Sequence, residues 1–474
     1  MAKKPAVKKR SAPAKKSRKR AAKSSSTRPP AEVGARAVAS ARAFVRIYRH
    51  GLGDCILIRI PRADRPEYKI LIDCGVAVAT LNAAAKMKEV LEDVMAVTGG
   101  EVDVLAVTHE HWDHVSGFSQ AQDIFDKLTV GEVWLAWTED PTDPLAKKLR
   151  ADHTAALAVI SQSAQTMALG GNQSGANQVL TLTGMFGAAG EKTQAALNLA
   201  KAKVPRTGKP RYWLPSELPF AIPGGPKVYA LGPPHDEKAI RNFNPSKSHP
   251  ETYELALDGS GLLPLGVLTA LQRQNDVTPF ADSSNISIEA ARGVPFFQRS
   301  YWGLPGEPMD WRRIDTDWLS GADEFALMLQ SATNNTSLVL ALEFGDGDVL
   351  LFAGDAQVGN WMSWGTLEWK QSGSETVTGL GLLGRTVFYK VGHHGSHNAT
   401  LKEKGLDLMT KLETAIIPVD EVVAKKMRWG AMPLAALVTA LETRTRSRTL
   451  RTDQNPANQM QGIESTSLYF EVSV

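Results

Sequence analysis

Four potential metal ligands lie within six residues of this chain, directly after a strand-like segment. The run is His109-Glu110-His111-Trp112-Asp113-His114, and the segment from Val102 to Thr108 precedes it. Side chains alternate between faces in an extended segment, so His109 and His111 can project to one side and bind one ion together. Asp113 and His114 are adjacent, so the chain must turn between them, which places them at a second position, as two-metal hydrolases require. Three of the ten histidines fall in this run, which favours a metal site over a histidine-rich surface turn.

The same run matches an HxHxDH signature, and further segments agree with it in order. These segments are Gly51-Leu52-Gly53-Asp54-Cys55, Asp73-Cys74-Gly75, Asn334 to Leu340, Ala353-Gly354-Asp355 and Val391-Gly392-His393-His394-Gly395-Ser396. Together they resemble the metallo-β-lactamase superfamily, and in particular the branch that includes the hydrolase domain of the DNA-uptake channel ComEC. The resemblance implies an α/β fold, an αββα sandwich of two sheets flanked by helices, with the metal site at the edge where strand ends meet.

The resemblance also implies roles for the polar residues in these motifs. The implied two-metal centre consists of His109, His111, Asp113, His114, Asp355, His393 and His394. His109 and His111 would hold one ion. Asp113, His114 and either His393 or His394 would hold the other ion, and Asp355 would bridge both. We favour His393, which lies just past the apolar segment from Thr386 to Val391, and the sequence leaves that choice open. Two divalent ions are expected, zinc first, with manganese or magnesium as alternatives.

In this interpretation Asp113 and Asp355 are the catalytic carboxylates. A water held between two cations is acidified and becomes a hydroxide nucleophile, which Asp113 would also orient.

The chain departs from the family pattern in two places. Many two-metal members carry a third histidine for the first metal before the Asp355 strand, but Ser331 to Ser337 contains none. Asparagine is a weak zinc ligand, so the first metal would be held loosely or replaced by manganese or magnesium. A histidine from elsewhere could also substitute, and His235 is a better candidate than His50, His153 or His249. Near the C-terminus a histidine-proline motif is replaced by Trp429-Gly430-Ala431-Met432-Pro433. This second departure argues against a direct transfer of ComEC-like nuclease activity.

The first 30 residues differ in composition from the rest of the chain. They contain twelve Lys or Arg and no acidic residue, whereas the remaining 444 residues carry 42 basic and 50 acidic groups, a net charge of −8. The segment lacks the aliphatic residues of a core, so residues 1–40 are predicted to be a disordered tail. A basic tail of this kind is expected to bind DNA or RNA without sequence preference. The alternatives are that it is a solubilising extension or an organellar transit peptide.

Residues 41–474 are predicted to form the enzyme domain, with an insertion at about 118–330. In the first half we expect strands at 44–48, 55–60, 70–73 and 104–107, and in the second half at 338–343, 349–352, 387–391, 414–418 and 467–472. Inside the insertion we expect strands at 132–137 and 228–231 and helices at 123–128, 144–168 and 188–203, with loop at 205–225. A long excursion at 241–299 would cover the active site, and Trp302, Trp311 and Trp318 could stack on a base or sugar. A last helix is expected at 434–443.

Composition bounds the function class. The 474 residues are 43% hydrophobic and 22% charged, as in ordinary soluble proteins, and no apolar run approaches the length of a transmembrane helix. Cys55 and Cys74 are expected to be buried thiols in a reducing, cytoplasmic setting. Membrane insertion is therefore not expected, and protein partners stay unassigned.

The leading hypothesis is a metal-dependent phosphodiesterase or nuclease. The alternatives are a lactonase, thioesterase or amide hydrolase, because the same metals polarise carbonyls, and a metal-stabilised nucleic-acid-binding module.

Overall fold

The computed structural model describes residues 41–169, 176–177, 179–180, 191–204, 208–245, 252, 286, 288–304, 307–308, 321–370, 376–427 and 429–474. The predicted tail at 1–40, Trp311, Trp318, His249 and most of the predicted excursion at 241–299 lie outside these ranges. Strands β1 to β19 are, in chain order, Phe44–Tyr48, Cys55–Arg62, Arg65–Cys74, Glu101–Val107, Thr129–Ala136, Arg211–Trp213, Phe220–Ala221, Lys227–Gly232, Gly303–Leu304, Glu307–Pro308, Val339–Glu343, Val349–Phe352, Glu368–Lys370, Thr376–Thr378, Thr386–Lys390, Thr414–Ile417, Thr449–Arg451, Ile463–Ser465 and Tyr469–Ser473.

Two large sheets form the centre of the molecule. The first sheet has the strand order β18-β19-β1-β2-β3-β4-β5-β6, and the second has the order β17-β16-β15-β12-β11-β8-β7. Each sheet joins antiparallel strands to a run of parallel ones, β3 to β6 in the first and β12, β15, β16 and β17 in the second. Strands β9 and β10 form one small hairpin, and β13 and β14 form another.

Helices cover the outer faces of both sheets. Helices α1 to α13 are Ala83–Thr98, Trp112–Gln120, Gln122–Phe125, Pro144–Leu169, Glu191–Ala202, Glu237–Ile240, Ile288–Arg292, Pro295–Phe297, Gly321–Asn334, Val358–Ser363, Gly379–Gly384, Glu421–Lys426 and Ala435–Thr445. Shorter 3-10 turns lie at Trp137–Glu139, Trp364–Thr366, Gly392–Gly395 and Leu406–Leu408, and Gln298–Trp302 forms a π-helical turn. No helix in the described part of the chain is both long and apolar enough to cross a bilayer.

Side chains that alternate along the strands divide the interior into three apolar layers. In β11, Leu340 and Leu342 face the layer between the two sheets, whereas Val339 and Ala341 face the layer under the helices of the second sheet. Val90 of α1 packs in the third layer, under the helices of the first sheet. Each sheet is therefore buried on both faces, with the other sheet on its inner side and helices on its outer side. This order of layers confirms the predicted αββα arrangement.

The structure corrects several element predictions. The C-terminal strand β19 pairs with β1 in the first sheet and does not complete the second half. The predicted loop at 205–225 contains β6 and β7, and α1, β17 and β18 were not predicted. The segment treated as an insertion supplies β5 and β6 to the first sheet and β7 and β8 to the second, so much of it is part of the central fold.

Cys55 and Cys74 are paired neighbours on β2 and β3. Both are buried free thiols, as the sequence predicts.

Candidate metal centre

The HxHxDH run changes from extended to helical within its own length. Strand β4 ends at Val107, His111 is still extended, and α2 begins at Trp112. His109 and His111 therefore lie on the extended part, while Asp113 and His114 lie in the first helical turn. The turn that the sequence predicts between Asp113 and His114 in fact begins one residue before Asp113.

Four buried side chains from three segments bring their ligand atoms within 4.8 Å of one another: Asp113, His114, Asp355 and His394. His114 Nε2 is 3.3 Å from Asp355 Oδ2, and His394 Nε2 is 3.0 Å from Asp113 Oδ2. Asp355 follows β12, and His394 follows β15, so neighbouring parallel strands deliver these ligands to one edge of the second sheet. Two imidazoles and two carboxylates are a donor set that suits zinc and similar ions.

Hydrogen bonds behind the two imidazoles fix their orientation. His114 Nδ1 donates to Asp73 Oδ2 at 2.8 Å, and His394 Nδ1 donates to the carbonyl oxygen of Pro418 at 2.7 Å. Each ring therefore presents Nε2 to the cluster. A ring nitrogen held in this way by a carboxylate or carbonyl is typical of histidines that bind metals. His114 Nε2 is buried and has no hydrogen-bond partner among the described residues, which fits a ligand position.

The other two histidines of the motif form a pair beside this cluster. Thr108 Oγ1 donates to Asp73 Oδ2 at 2.7 Å, so its oxygen is left to accept from His109 Nδ1 at 3.0 Å. His109 Nε2 then faces His111 Nδ1 at 2.9 Å. His111 Nε2 is buried without a hydrogen-bond partner in the described part of the structure. His111 Nε2 is therefore the nitrogen of this pair left available for the first metal position, and the segment from Ser331 to Ser337 supplies no third histidine to it.

His393 lies outside the cluster of four, although the sequence favoured it over His394. The backbone is left-handed at both residues, with φ of 40° at His393 and 53° at His394. Consecutive left-handed residues send the two rings in different directions, with ring centroids 6.0 Å apart. His393 Nε2 lies 3.1 Å from Asn334 Nδ2, and Nδ1 lies 2.7 Å from Ser396 Oγ. The preference for His393 therefore does not agree with the geometry, which brings His394 to Asp113 and Asp355.

The pKa values of the site histidines fall into two groups. Burial alone would lower the pKa of His114, but Asp355, Asp73 and Asp113 outweigh it and hold that pKa well above its ordinary value. The pKa of His394 is raised in the same way against burial, by Asp355 and Asp113. By contrast, burial lowers the pKa of His111 and of His393 to about 4, and burial and His114 lower that of His109.

The carboxylates of the cluster are held in their charged form. Burial would raise the pKa of Asp113, but His114 and a hydrogen bond with His394 lower it to about 2. The pKa of Asp355 is likewise lowered well below its usual range, because His114 and His394 outweigh burial. Ionised carboxylates are the form that binds metal ions.

A buried lysine, which the sequence reasoning did not single out, lies behind the cluster. Lys390 is the last residue of β15, and its Nζ contacts Asp54 Oδ2, donates to the carbonyl oxygen of Gly354 at 2.9 Å and lies 3.6 Å from Asp355 Oδ1. Asp54, Asp73 and His114 also form a group with metal-like spacing, but the ammonium already supplies a cation there. The sequence feature that could have identified Lys390 is its position as the one charged residue at the end of the buried strand β15.

The candidate substitutes for the third histidine lie elsewhere. His235 Nε2 pairs with Asp143 Oδ2 at 2.9 Å on the surface, and the ring packs on Trp137. His50 Nε2 binds the carbonyl oxygen of Gly75 at 2.7 Å, and His153 pairs with Glu110 at 3.3 Å. None of these three joins the cluster of four.

Residues 48–137 match the family model of the metallo-beta-lactamase superfamily. The matched segment runs from the end of β1 through the HxHxDH run to the residue after β5. No curated protein and no solved structure was found to match the chain. The match does not distinguish the ComEC-like branch from other branches of the superfamily. Resemblance to the superfamily suggests a metal-dependent hydrolase. In its fold, in residues 48–137 and in its buried His/Asp cluster, the protein is similar to the hydrolases of the metallo-β-lactamase superfamily.

Proposed function

We propose that the protein is a metal-dependent phosphodiesterase whose substrate is nucleic acid. The observation that carries the proposal is the buried cluster of Asp113, His114, Asp355 and His394, whose ligand atoms lie within 4.8 Å of one another. The motif resemblance to the ComEC-like branch and the basic first 30 residues favour phosphodiesters over carbonyl substrates.

The cluster would hold one divalent ion, and His109 and His111 would contribute to a second position. A bound ion would act as a Lewis acid and lower the pKa of a coordinated water. Zinc fits the imidazole-rich donor set, and manganese or magnesium are the alternatives. His393 is not assigned as a ligand in this proposal.

The chain's own residues prepare this centre. Asp73 and the Pro418 carbonyl group fix the imidazoles of His114 and His394 from behind. Lys390 Nζ and the backbone N–H of His393, at 3.1 Å, both face Asp355 Oδ1, which leaves Oδ2 toward the cluster. Low exposure of these groups strengthens their electrostatic effect on a bound substrate.

The direct test compares metal-loaded wild type with Asp355→Ala on DNA, RNA and bis(p-nitrophenyl) phosphate. We expect Asp355→Ala to lower turnover at least about 100-fold, because it removes a ligand and a buried charge. Asp143→Ala is a matched control, since Asp143 is a partly exposed carboxylate that pairs with His235 away from the cluster. Equal rates for wild type and folded Asp355→Ala would refute the proposal, and turnover of lactones or thioesters alone would replace it with a carbonyl hydrolase.

We also propose that the basic first 30 residues hold the enzyme on nucleic acid, in the cytoplasm. Twelve lysines and arginines without an acidic residue release counterions when they bind phosphates. Deletion of residues 1–30 should weaken DNA binding and reduce its salt dependence, while turnover of bis(p-nitrophenyl) phosphate stays unchanged. Equal DNA binding by the truncated protein in a salt titration would exclude this role.

A further inference from the structure

Next to the cluster lies a group of polar, uncharged side chains that the proposed ligand set does not use. It consists of Asn334 at the end of α9, Gln357 two residues after Asp355, and His393 after β15; we call it the neutral subsite. Asn334 and Gln357 are almost fully buried, and His393 is partly buried. Three separate segments therefore meet at the edge of the second sheet where the cluster also lies.

His393 connects the two amides. Its Nε2 lies 3.1 Å from Asn334 Nδ2, and its Nδ1 lies 3.3 Å from Gln357 Nε2. The Ser396 hydroxyl donates to Asn398 Oδ1 at 3.0 Å, so its oxygen is left to accept from His393 Nδ1 at 2.7 Å. Asn398 is in turn anchored to the carbonyl oxygen of Phe243 at 3.0 Å. The imidazole is thus held by a chain of hydrogen bonds, with Nε2 as the acceptor for Asn334.

Both amides keep unused hydrogen-bonding capacity. Asn334 Oδ1 and Gln357 Oε1 are buried and have no hydrogen-bond partner among the described residues. Asn334 also has a second N–H group besides the one that His393 Nε2 accepts, and Gln357 keeps both of its N–H groups, because His393 Nδ1 is itself a donor. Buried polar atoms without partners are rare because they cost free energy, and a ligand that supplies the partner removes that cost.

The same observations argue against a metal at this place. His393 is absent from the cluster of four, and its ring nitrogens face the Asn334 amide and the Ser396 hydroxyl, not carboxylates. Asparagine stands in the segment where the family carries its third histidine, and amides are weak zinc ligands. His393 is also joined to the cluster through its backbone, because its N–H donates to Asp355 Oδ1 at 3.1 Å. The subsite therefore adjoins the metal position without supplying ligands to it.

We infer that the neutral subsite binds the phosphoryl group of the substrate, through the amide N–H groups of Asn334 and Gln357 with His393 as the positioning residue between them. This inference rests on the proposed phosphodiesterase function. The phosphoryl oxygens would accept hydrogen bonds from the amide N–H groups. A hydroxyl group on the substrate would donate hydrogen bonds to the amide oxygens that have no partner. Hydrogen phosphate offers both kinds of group and is a suitable probe.

The test is a matched pair of substitutions at adjacent residues. His393→Asn and His394→Asn place the same side chain at two left-handed positions, a conformation that asparagine tolerates better than most residues. Metal content is measured by elemental analysis of full-length protein, and binding of inorganic phosphate by calorimetry. His393→Asn and Asn334→Ala should keep the wild-type metal content and weaken phosphate binding about tenfold, equivalent to one lost hydrogen bond. His394→Asn should lose metal.

Three results would overturn the inference. One is a loss of metal from His393→Asn or Asn334→Ala comparable to that of His394→Asn, which would make these residues ligands. The others are unchanged phosphate affinity in both variants and the absence of phosphate binding by metal-loaded wild type. Thermal unfolding of each variant verifies that it is folded. Because metal and phosphate binding are measured without turnover, a wild type that binds phosphate here but hydrolyses only carbonyl substrates would refute the proposed function alone.

Discussion

The two sides of the candidate centre contain the same kind of side chain in opposite electrostatic states. On the charged side, His114 and His394 face carboxylates, and their pKa values are raised. On the neutral side, His109, His111 and His393 face hydroxyls, amides or one another, and their pKa values are lowered. All but His393 are almost fully buried. Burial lowers the pKa on both sides, and neighbouring carboxylates outweigh it only on the charged side.

The comparison shows how one motif supplies histidines in two electrostatic states. His109 and His114 are five residues apart, and their ring centroids lie 4.2 Å from each other. Asp73 influences both histidines. It accepts a hydrogen bond directly from His114 Nδ1, and it accepts another from Thr108 Oγ1, which lies between Asp73 and His109. A carboxylate in direct contact favours the imidazolium form, whereas a hydroxyl between the two groups does not. A single residue placed between carboxylate and imidazole thus separates the two sides.

The largest effect on the free energy of unfolding is expected at Lys390, the buried cation of the charged side. Lys390→Met removes the ammonium that contacts Asp54 and leaves that buried carboxylate with only His114 Nδ1 near it, at 3.8 Å. Breaking a buried ion pair in this way costs about 3–5 kcal/mol. Urea unfolding of Lys390→Met should show a loss of this size, whereas Gln357→Leu on the neutral side should cost only about 1 kcal/mol, because it replaces a buried uncharged side chain with an apolar one of similar size.

A second substitution tests the cause. Lys390→Met combined with Asp54→Asn removes both charges and should recover much of the stability lost by Lys390→Met alone. If the double variant is as unstable as the single one, packing of the lysine stem and not its charge holds this part of the fold together.

Metal binding should also differ between the two sides. His114→Ala removes an imidazole from the cluster of four, and we expect metal affinity to fall by at least about 100-fold, since loss of even an outer hydrogen-bond partner costs 10–100-fold. His111→Ala leaves that cluster intact and should lower the metal content by no more than one ion per chain. Elemental analysis and chelator competition measure both. Complete metal loss in His111→Ala, with retention in His114→Ala, would reverse the assignment of the two sides.

The first half of the site was largely predictable from sequence because its ligands are adjacent in the chain. Alternation along an extended segment places His109 and His111 together, and that rule needs no tertiary information. Strand β1 was predicted with its observed bounds, Phe44–Tyr48, from the family resemblance. Helix α1 was not predicted, although its buried residues Met87, Val90, Leu91 and Val94 follow a helical spacing.

The second half was less predictable because it depends on backbone conformation and on long-range pairing. Nothing in the sequence indicates that His393 and His394 are both left-handed, and this conformation decides which ring reaches Asp113. The position of β19 depends on its pairing with β1 across the whole length of the domain. The contact of Lys390 with Asp54 likewise joins the last residue of β15, in the second sheet, to the residue just before β2, in the first. Such contacts form between distant segments and leave no local pattern.

The smallest and most discriminating effect is expected in the pH dependence of the metal-free protein. Histidines with raised pKa stabilise the fold fully below their ordinary pKa of about 6.5, and this contribution falls as the pH rises above that value. Histidines with lowered pKa do the opposite: their contribution is present above about 6.5 and is lost as the pH falls toward 4, the pKa of His111 and His393. The metal-free protein should therefore be most stable near pH 6.5, as measured by urea midpoints after chelation.

Each arm of that curve belongs to one side of the centre, so substitutions should remove them separately. His114→Ala should flatten the alkaline arm, since His114 then no longer loses a stabilising proton there, and His111→Asn should reduce the acidic arm. Saturating zinc should also abolish the alkaline arm, because the metal replaces the protons of His114 and His394. A curve that His114→Ala leaves unchanged above pH 6.5 would mean that the carboxylates around this histidine do not set its charge, and the division of the centre into two sides would fail.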